Sequence, residues 1–370
     1  MRDWLPGLFD RRPRVRDARR CGRGPATHVV ILDGTMSSLA PGEETNAGLT
    51  FKLLEEAGRR ANLTVYYEAG VQWRDWASTR DVMVGRGINR QIRRAYGVLA
   101  SRYRPGDRIV LVGYSRGAFA VRSLSGVIGR VGLVEARHAT VRAIRQAYRH
   151  YQTGGKGRAA ANFRRRYCHA ETPIEAVAVW DTVKALGVRW PILWRWAGDR
   201  HDFHDHGLGP HVRRGFHALA LDETRHAFTP VLWQTGPQDA GRVEQVWFRG
   251  THGDVGGQVA RRVEARALAN IPLHWMLDRL EACGLPLPDG WRARFVTDPR
   301  SVSVGTWGGW GKIFLRRHRR TVGLDGSERL HGTALGHPAW TVARIGGDGP
   351  QADRAGPVTL RPPRSAARRA

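Results

Sequence analysis

The pentapeptide Gly113-Tyr114-Ser115-Arg116-Gly117 sets a hydroxyl between an apolar run beginning at Ile109 and a small-residue, helix-forming stretch, AFAVRSLSGVIGRV, beginning at Ala118. A chain that reverses from strand to helix within one residue needs small neighbours two places to either side, here Gly113 and Gly117. It also holds the central serine in a strained conformation that lifts its hydroxyl clear. A serine at neutral pH attacks only when a base takes its proton and an acid orients the base. Two later residues suit those roles. Asp181 follows the apolar AVAVW in AVWDTVKALG, and His252 follows VEQVWFRG in FRGTHGDVGG. The order serine, acid, histidine, each just past a strand, is the one this turn calls for. Each residue also has a plainer reading. Ser115 closes a tight turn, Asp181 caps a helix beginning DTV, His252 sits in a glycine-rich loop, and Asp254 is a rival acid.

Acyl transfer also requires donors for a developing oxyanion. The backbone N–H of Arg116 is one candidate. The N–H groups of Gly34 and Thr35, in ILDGTMSS directly after the first apolar run, are the others. Asp33 lies beside that loop as a supporting residue.

These residues need a scaffold that gathers them. Apolar runs start at His28 (HVVILDG), Leu63 (LTVYYEAG), Asp107 (DRIVLVGYS), Ile174 (IEAVAVWDT) and Val243 (VEQVWFRG). Strands apolar at nearly every position are covered on both faces, so the pattern predicts an α/β fold with a mostly parallel, doubly wound sheet and active residues at its carboxyl edge. INRQIRRAYGVLASRY sets Ile88, Ile92, Tyr96 and Leu99 on one stripe of a helix that stops at PGD. Asn46 is expected to cap a helix carrying Leu49, Leu53 and Leu54, and another helix is expected to start near Val212. Residues 27–345 read as one domain, with a lid insertion around 185–215. Residues 1–26 and 346–370 read as loose basic tails.

The net charge of +27 comes almost wholly from arginine, since only Lys52, Lys156, Lys184 and Lys312 are lysines. Such a field draws a protein to polyanions, and arginine-rich composition produces the same number without a partner. Cys21, Cys168 and Cys283 are too few and too scattered for a disulfide framework or a thiolate metal site. No stretch of about 18 uncharged apolar residues runs through the chain, and the first 28 residues lack the apolar centre of a signal peptide. The cluster His201, His204, His206 and His211 with Asp202 and Asp205 reads as a polar loop rather than a metal site. Two tryptophan-rich stretches, RWPILWRWAG from Arg189 and GTWGGWGKIFLRRHRR from Gly305, suit either a bilayer interface or buried packing on the sheet.

Seven blocks carry a more specific signal: ILDGT, ETNAGLTFKLLEEA, VYYEAGV, the long segment from Gly85 to Leu133 around the serine, VAVWDTVKALG, HALALDETRHAFTPVLW and QVWFRGTHGDVGG. Together they resemble the α/β-hydrolase family that includes phospholipase effectors of bacterial type VI secretion. The resemblance spans about residues 29 to 257, with a weaker echo at IPLHWMLDRLEACGLPL. It implies a Ser–Asp–His hydrolase of ester bonds, with Ser115, Asp181 and His252 at the matching positions and no cofactor or metal. Asp222 and Arg225, in ALDETRHAF, fall in another matching block and are expected as a helical feature supporting the site, as is Asp254. The expected substrate is a lipid ester, with an anionic membrane surface as a partner and no nucleic acid. Hydrolysis of small soluble esters or thioesters, and a non-catalytic arginine-rich module binding nucleic acid or membrane, are the alternatives. The expected location is the cytoplasm of the producer, with delivery by a route that uses no signal peptide.

Overall fold

A computed structural model describes residues 14–17, 24–58, 62–70, 86–183, 207–259, 262–307, 315–335 and 358–359. In chain order its elements are β1 (Arg14–Asp17), β2 (Thr27–Leu32), α1 (Asn46–Ala57), β3 (Leu63–Glu68), α2 (Arg86–Arg102), β4 (Arg108–Tyr114), α3 (Arg116–Val131), α4 (Val141–Gln152), α5 (Arg158–Tyr167) and β5 (Ile174–Trp180). There follow β6 (Val212–Ala220), β7 (Val243–Phe248), α6 (His252–Gly256), α7 (Arg266–Ala282), β8 (Glu328–Leu330) and β9 (Val358–Thr359).

The strands make one sheet in the order β1-β3-β2-β4-β5-β6-β7-β8-β9. Strands β2 to β8 run parallel, and β1 and β9 add antiparallel edges. Alternation along β4 shows why the sheet is apolar throughout. Ile109 and Leu111 face a core built with α2 to α5, while Val110, Val112 and Tyr114 face a second core built with α1 and α7. The predicted stripe of Ile88, Ile92, Tyr96 and Leu99 is buried in the first of these. The expected α/β fold is therefore the observed one.

Four local expectations differ from the structure. The segment from Val212 is β6 rather than a helix, filling the gap between β5 and β7 with Gly215–Ala220 buried throughout. Its Ala, Leu and His residues carry no strand preference of their own, and its neighbours on either side decide the conformation. Arg14–Asp17, inside the stretch expected as a loose tail, pairs with β3, and Val358–Thr359 pairs with β8. Backbone pairing at a sheet edge leaves no apolar periodicity to read. The cap of α1 is Thr45, whose hydroxyl accepts the Gly48 N–H. Asn46 instead donates to the carbonyls of Val255 and Ala269 at 3.0 Å each, tying α1 to α6 and α7 beyond β7. The expected lid insertion around 185–215 lies outside the described residues up to position 206.

Both glycines of the turn are required by contact. A Cβ on Gly113 falls 2.7 Å from the Ala118 Cα, and one on Gly117 falls 2.0 Å from the Leu32 carbonyl oxygen. Backbone atoms cannot swing aside, so Gly117→Ala is expected to force α3 away from β2 and cost about 3 kcal/mol of stability. A lowered denaturant midpoint at unchanged slope is the corresponding measurement.

Candidate active site

Every parallel strand that contributes to the site delivers its residue just past its carboxyl end. The Ser115 N–H donates to the Trp180 carbonyl at 3.0 Å, the Asp181 N–H to Ala218 at 2.7 Å, and the Asp33 N–H to Glu68 at 3.0 Å. Each loop is thus anchored on the neighbouring strand. The described non-glycine residues with positive φ are Met36 (61°), Ser115 (58°) and Asp181 (41°), and all three lie at this edge. Backbone strain of this kind costs roughly 1–3 kcal/mol per residue and persists only where surrounding packing enforces it.

The three sequence-predicted residues converge. The His252 Nε2 stands 2.8 Å from the Ser115 Oγ, and its Nδ1 stands 2.5 Å from the Asp181 Oδ2. The carboxylate can only accept, so Nδ1 carries the proton and Nε2 accepts from the serine hydroxyl. All three side chains are buried. The imidazole lies between the rings of Tyr114 and Phe228, with centroids 4.9 and 4.8 Å away. Tyr114 in turn requires Gly256, where a Cβ would fall 1.9 Å from the tyrosine ring.

The second partner of Asp181 is Arg320. Its guanidinium binds both carboxylate oxygens, Nη1 to Oδ1 at 2.5 Å and Nη2 to Oδ2 at 2.9 Å, and the Ala220 N–H donates to Oδ1 at 3.0 Å. Burial by itself would raise the Asp181 carboxyl. The Arg320 charge and the His252 and Arg320 hydrogen bonds outweigh it and hold the group far below the usual carboxylate range. Burial lowers His252 below its ordinary 6.5, and Asp181 opposes this only in part.

The remaining carboxylates brace loops. Asp254 does not reach the imidazole. It accepts from the Thr251 N–H and hydroxyl at 2.7 and 2.8 Å, from the Ser303 hydroxyl at 2.5 Å and from the Val304 N–H at 2.9 Å, closing the first turn of α6. Asp222 accepts from the Gly250 N–H at 2.7 Å, and its own N–H donates to the Gly250 carbonyl at 3.0 Å. The segment around Asp222 and Arg225 is an extended turn rather than the expected helix, since these paired bonds staple the end of β6 to the end of β7. The buried Glu223 pairs with Arg225 at 2.6 Å and accepts the His252 N–H at 3.2 Å. Beneath Asp181, the buried His217 accepts the Thr182 N–H at Nε2, and burial brings it down to about 3.

At the glycine loop, Asp33 accepts from the Gly34 N–H at 2.6 Å, the Thr45 hydroxyl at 2.6 Å and the Tyr67 hydroxyl at 2.7 Å. Burial pushes its carboxyl up to about 6 despite these donors. Of the three expected oxyanion donors, Gly34 is therefore committed to Asp33. The N–H groups of Thr35 and Arg116 donate to nothing among the described residues. A Cβ on Gly34 would meet the Tyr114 ring at 2.5 Å, which explains a glycine there without assigning it a catalytic donor.

Residues 27–279 match the family model of the catalytic domain of Tle1-like phospholipase effectors of type VI secretion systems. The chain belongs to this family. An uncharacterized protein of Saccharomyces cerevisiae is 26% identical over 233 residues, 56% of this chain and 33% of that protein, so the chain spans about a third of the length of this relative. Solved structures similar to it include an uncharacterized protein from Pseudomonas aeruginosa (16% identity, TM-score 0.42, covering 74% of this chain and 49% of that one). Others are the Tle1 effector bound to the VgrG spike (16%, 0.32, 65% and 53%) and an esterase of Thermogutta terrifontis (14%, 0.38, 75% and 91%).

The Tle1-like segment contains Ser115, Asp181 and His252 but ends before Arg320. Sequence reasoning missed Arg320, which is one of four arginines in LRRHRR, and nothing in that run distinguishes the buried one. It missed Glu223 as well, naming its neighbour Asp222. In the second tryptophan-rich stretch, Trp307 is 60% exposed beneath the Arg317 guanidinium, 3.6 Å from the ring centre. The stretch from Arg189, and His201, His204 and His206, lie outside the described residues. His211 packs its ring against Gly129 and Gly209, with Nε2 2.9 Å from the Ser125 carbonyl oxygen.

A neutral imidazole is the form that accepts a proton, so the acid limb of kcat/KM is expected below pH 6.5, the ordinary value from which burial lowers His252. The same group binds its proton more readily when unfolded, so its contribution to stability falls as pH drops below 6.5. A kcat/KM profile between pH 4 and 9 is the check, and a limb at 7 or above contradicts the assignment.

Proposed function

We propose that this Tle1-like domain is a serine hydrolase of lipid acyl esters. The observation that carries the reading is the buried chain of hydrogen bonds from Ser115 through His252 to Asp181. In this reading the Ser115 oxygen attacks the ester carbonyl carbon while His252 Nε2 takes the hydroxyl proton. The resulting oxyanion rests on the N–H groups of Arg116 and Thr35. The imidazolium, oriented by Asp181, returns the proton to the departing alcohol and leaves an acyl-serine. Water activated by the same imidazole then releases the acid.

Two features support a phospholipid rather than a neutral ester. The guanidinium of Arg116, one residue from the nucleophile, has no partner among the described residues, and burial brings it down to about 10. An unpaired cation there suits a phosphate. Met36, Trp307 and Leu315 are exposed apolar side chains on the loops that carry Thr35 or pack against Thr224 to His226, and Trp307 is covered by a cation. Aromatic residues beside arginine fit the headgroup depth of a bilayer. Membership of a family of secreted effectors supports delivery by a type VI apparatus, and a spike protein of the VgrG kind is the corresponding partner.

The test combines a fluorophosphonate probe with a substrate panel. Labelling is expected on the peptide containing Ser115, with hydrolysis of anionic phospholipid vesicles exceeding that of short-chain soluble esters. Preference for soluble esters or thioesters overturns the lipid assignment, and a protein that neither labels nor turns over any ester is not a serine hydrolase.

A further inference from the structure

We propose that Arg320 is a positioning residue for the hydrolysis, whose guanidinium clamps the Asp181 carboxylate in the orientation His252 requires and cancels its charge. The inference rests on the hydrolase reading above and adds a control on the base. Of the five N–H groups of a guanidinium, Arg320 commits four. Two go to the oxygens of Asp181, one to the Ala220 carbonyl at 2.8 Å and one to the Phe228 carbonyl. Its Nε has no partner among the described residues. One side chain thereby joins the acid, the end of β6 and the turn whose Phe228 ring lies against the imidazole.

The charges around His252 explain what the clamp does. Asp181 faces the ring from the end of β5. Glu223 and Arg225 face it from beyond β6, Arg320 stands behind Asp181 from the segment before β8, and Tyr114 covers one face as a neutral phenol. Each carboxylate has its own guanidinium, which offsets part of its charge at the imidazole. The guanidiniums weaken the negative field that rewards protonation, so burial outweighs what Asp181 and Glu223 still contribute, and His252 stays a neutral base in mildly acidic medium. Removing Arg320 leaves one carboxylate charge uncompensated next to the ring. The cost of the clamp falls on the imidazolium, which gains less from a neutralised Asp181 than from a bare one.

A purely structural role for Arg320 predicts lost stability and reduced amplitude with an unmoved pH profile, so two variants and two readouts separate the cases. Arg320→Gln keeps a donor and removes the charge, whereas Arg320→Lys keeps the charge and loses the fork. In Arg320→Gln the NMR titration midpoint of the His252 ring is expected to rise by about one pH unit, and fluorophosphonate labelling is expected to lose its activity at pH 6 relative to pH 8. In Arg320→Lys the midpoint is expected to stay near the wild-type value, with labelling slowed about tenfold at every pH because one ammonium cannot hold both oxygens and two carbonyls. A folded Arg320→Gln protein with an unmoved His252 midpoint overturns the proposal. If that variant does not fold, Arg320→Met, which also removes the charge but packs as an apolar chain of similar length, takes its place, and an unmoved His252 midpoint in it overturns the proposal. Because the ring titration needs no turnover, wild-type protein that fails to label while its His252 midpoint still responds to position 320 refutes the hydrolase reading and leaves the clamp standing.

Discussion

Ser115→Ala is expected to lower ester turnover by about 10^6-fold while leaving the fold intact. Removing the nucleophile of such a unit costs nearly as much as removing the whole unit. On the proposed mechanism the oxyanion donors remain, because the N–H of residue 116 and that of Thr35 do not depend on the side chain at 115. The structure gives no reason for the variant to unfold. The hydroxyl bonds only to the His252 ring among the contacts described, and the backbone at φ 58° is held by the Trp180 carbonyl and by the glycines on either side. Alanine is strained there no more than serine. Steady-state rates on the preferred ester, with circular dichroism of the same sample, provide the check. Residual turnover within a hundredfold of wild type would place the chemistry elsewhere.

Asp181→Ala is expected to cost both activity and stability. Loss of the acid frees the imidazole to adopt the wrong tautomer, and in comparable relays the drop in kcat is about 10^4-fold. The larger surprise is energetic. Arg320 is buried at 6% exposure, and without Asp181 its charge has only the Ala220 and Phe228 carbonyls. Breaking one half of a buried pair costs about 3–5 kcal/mol, whereas replacing both halves with apolar groups is often neutral. The double variant Asp181→Ala/Arg320→Met is therefore expected to recover most of the lost stability and none of the activity. Denaturant midpoints of the single and double variants are the measurement. A single variant as stable as wild type would mean the Arg320 charge is not held as the structure shows.

The readable part of the site follows a physical pattern. Strands β2, β3, β4, β5 and β7 are continuous apolar runs because both faces of the sheet are covered, and a run of that kind is visible wherever it occurs. Ser115 is visible because the turn that presents it excludes side chains at 113 and 117. Asp181 and His252 are visible because a strand precedes each. By contrast, β6 has too little intrinsic strand character, and the turn at Asp222 is set by its paired bonds to Gly250, which no local pattern announces. Thr45 rather than Asn46 caps α1 because Asn46 is drawn away to carbonyls more than 200 positions distant.

The layered α/β architecture, the strained turn and the placement of Ser115, Asp181 and His252 just past successive strands are legible in the amino-acid sequence, since each depends on neighbours within a few positions. Three-dimensional packing selects the arginine that meets Asp181, makes Glu223 rather than Asp254 the acceptor of the His252 N–H, and spends the Gly34 N–H on Asp33. Those are choices among chemically equivalent side chains and backbone groups, and they are settled by which strand ends lie side by side in the sheet.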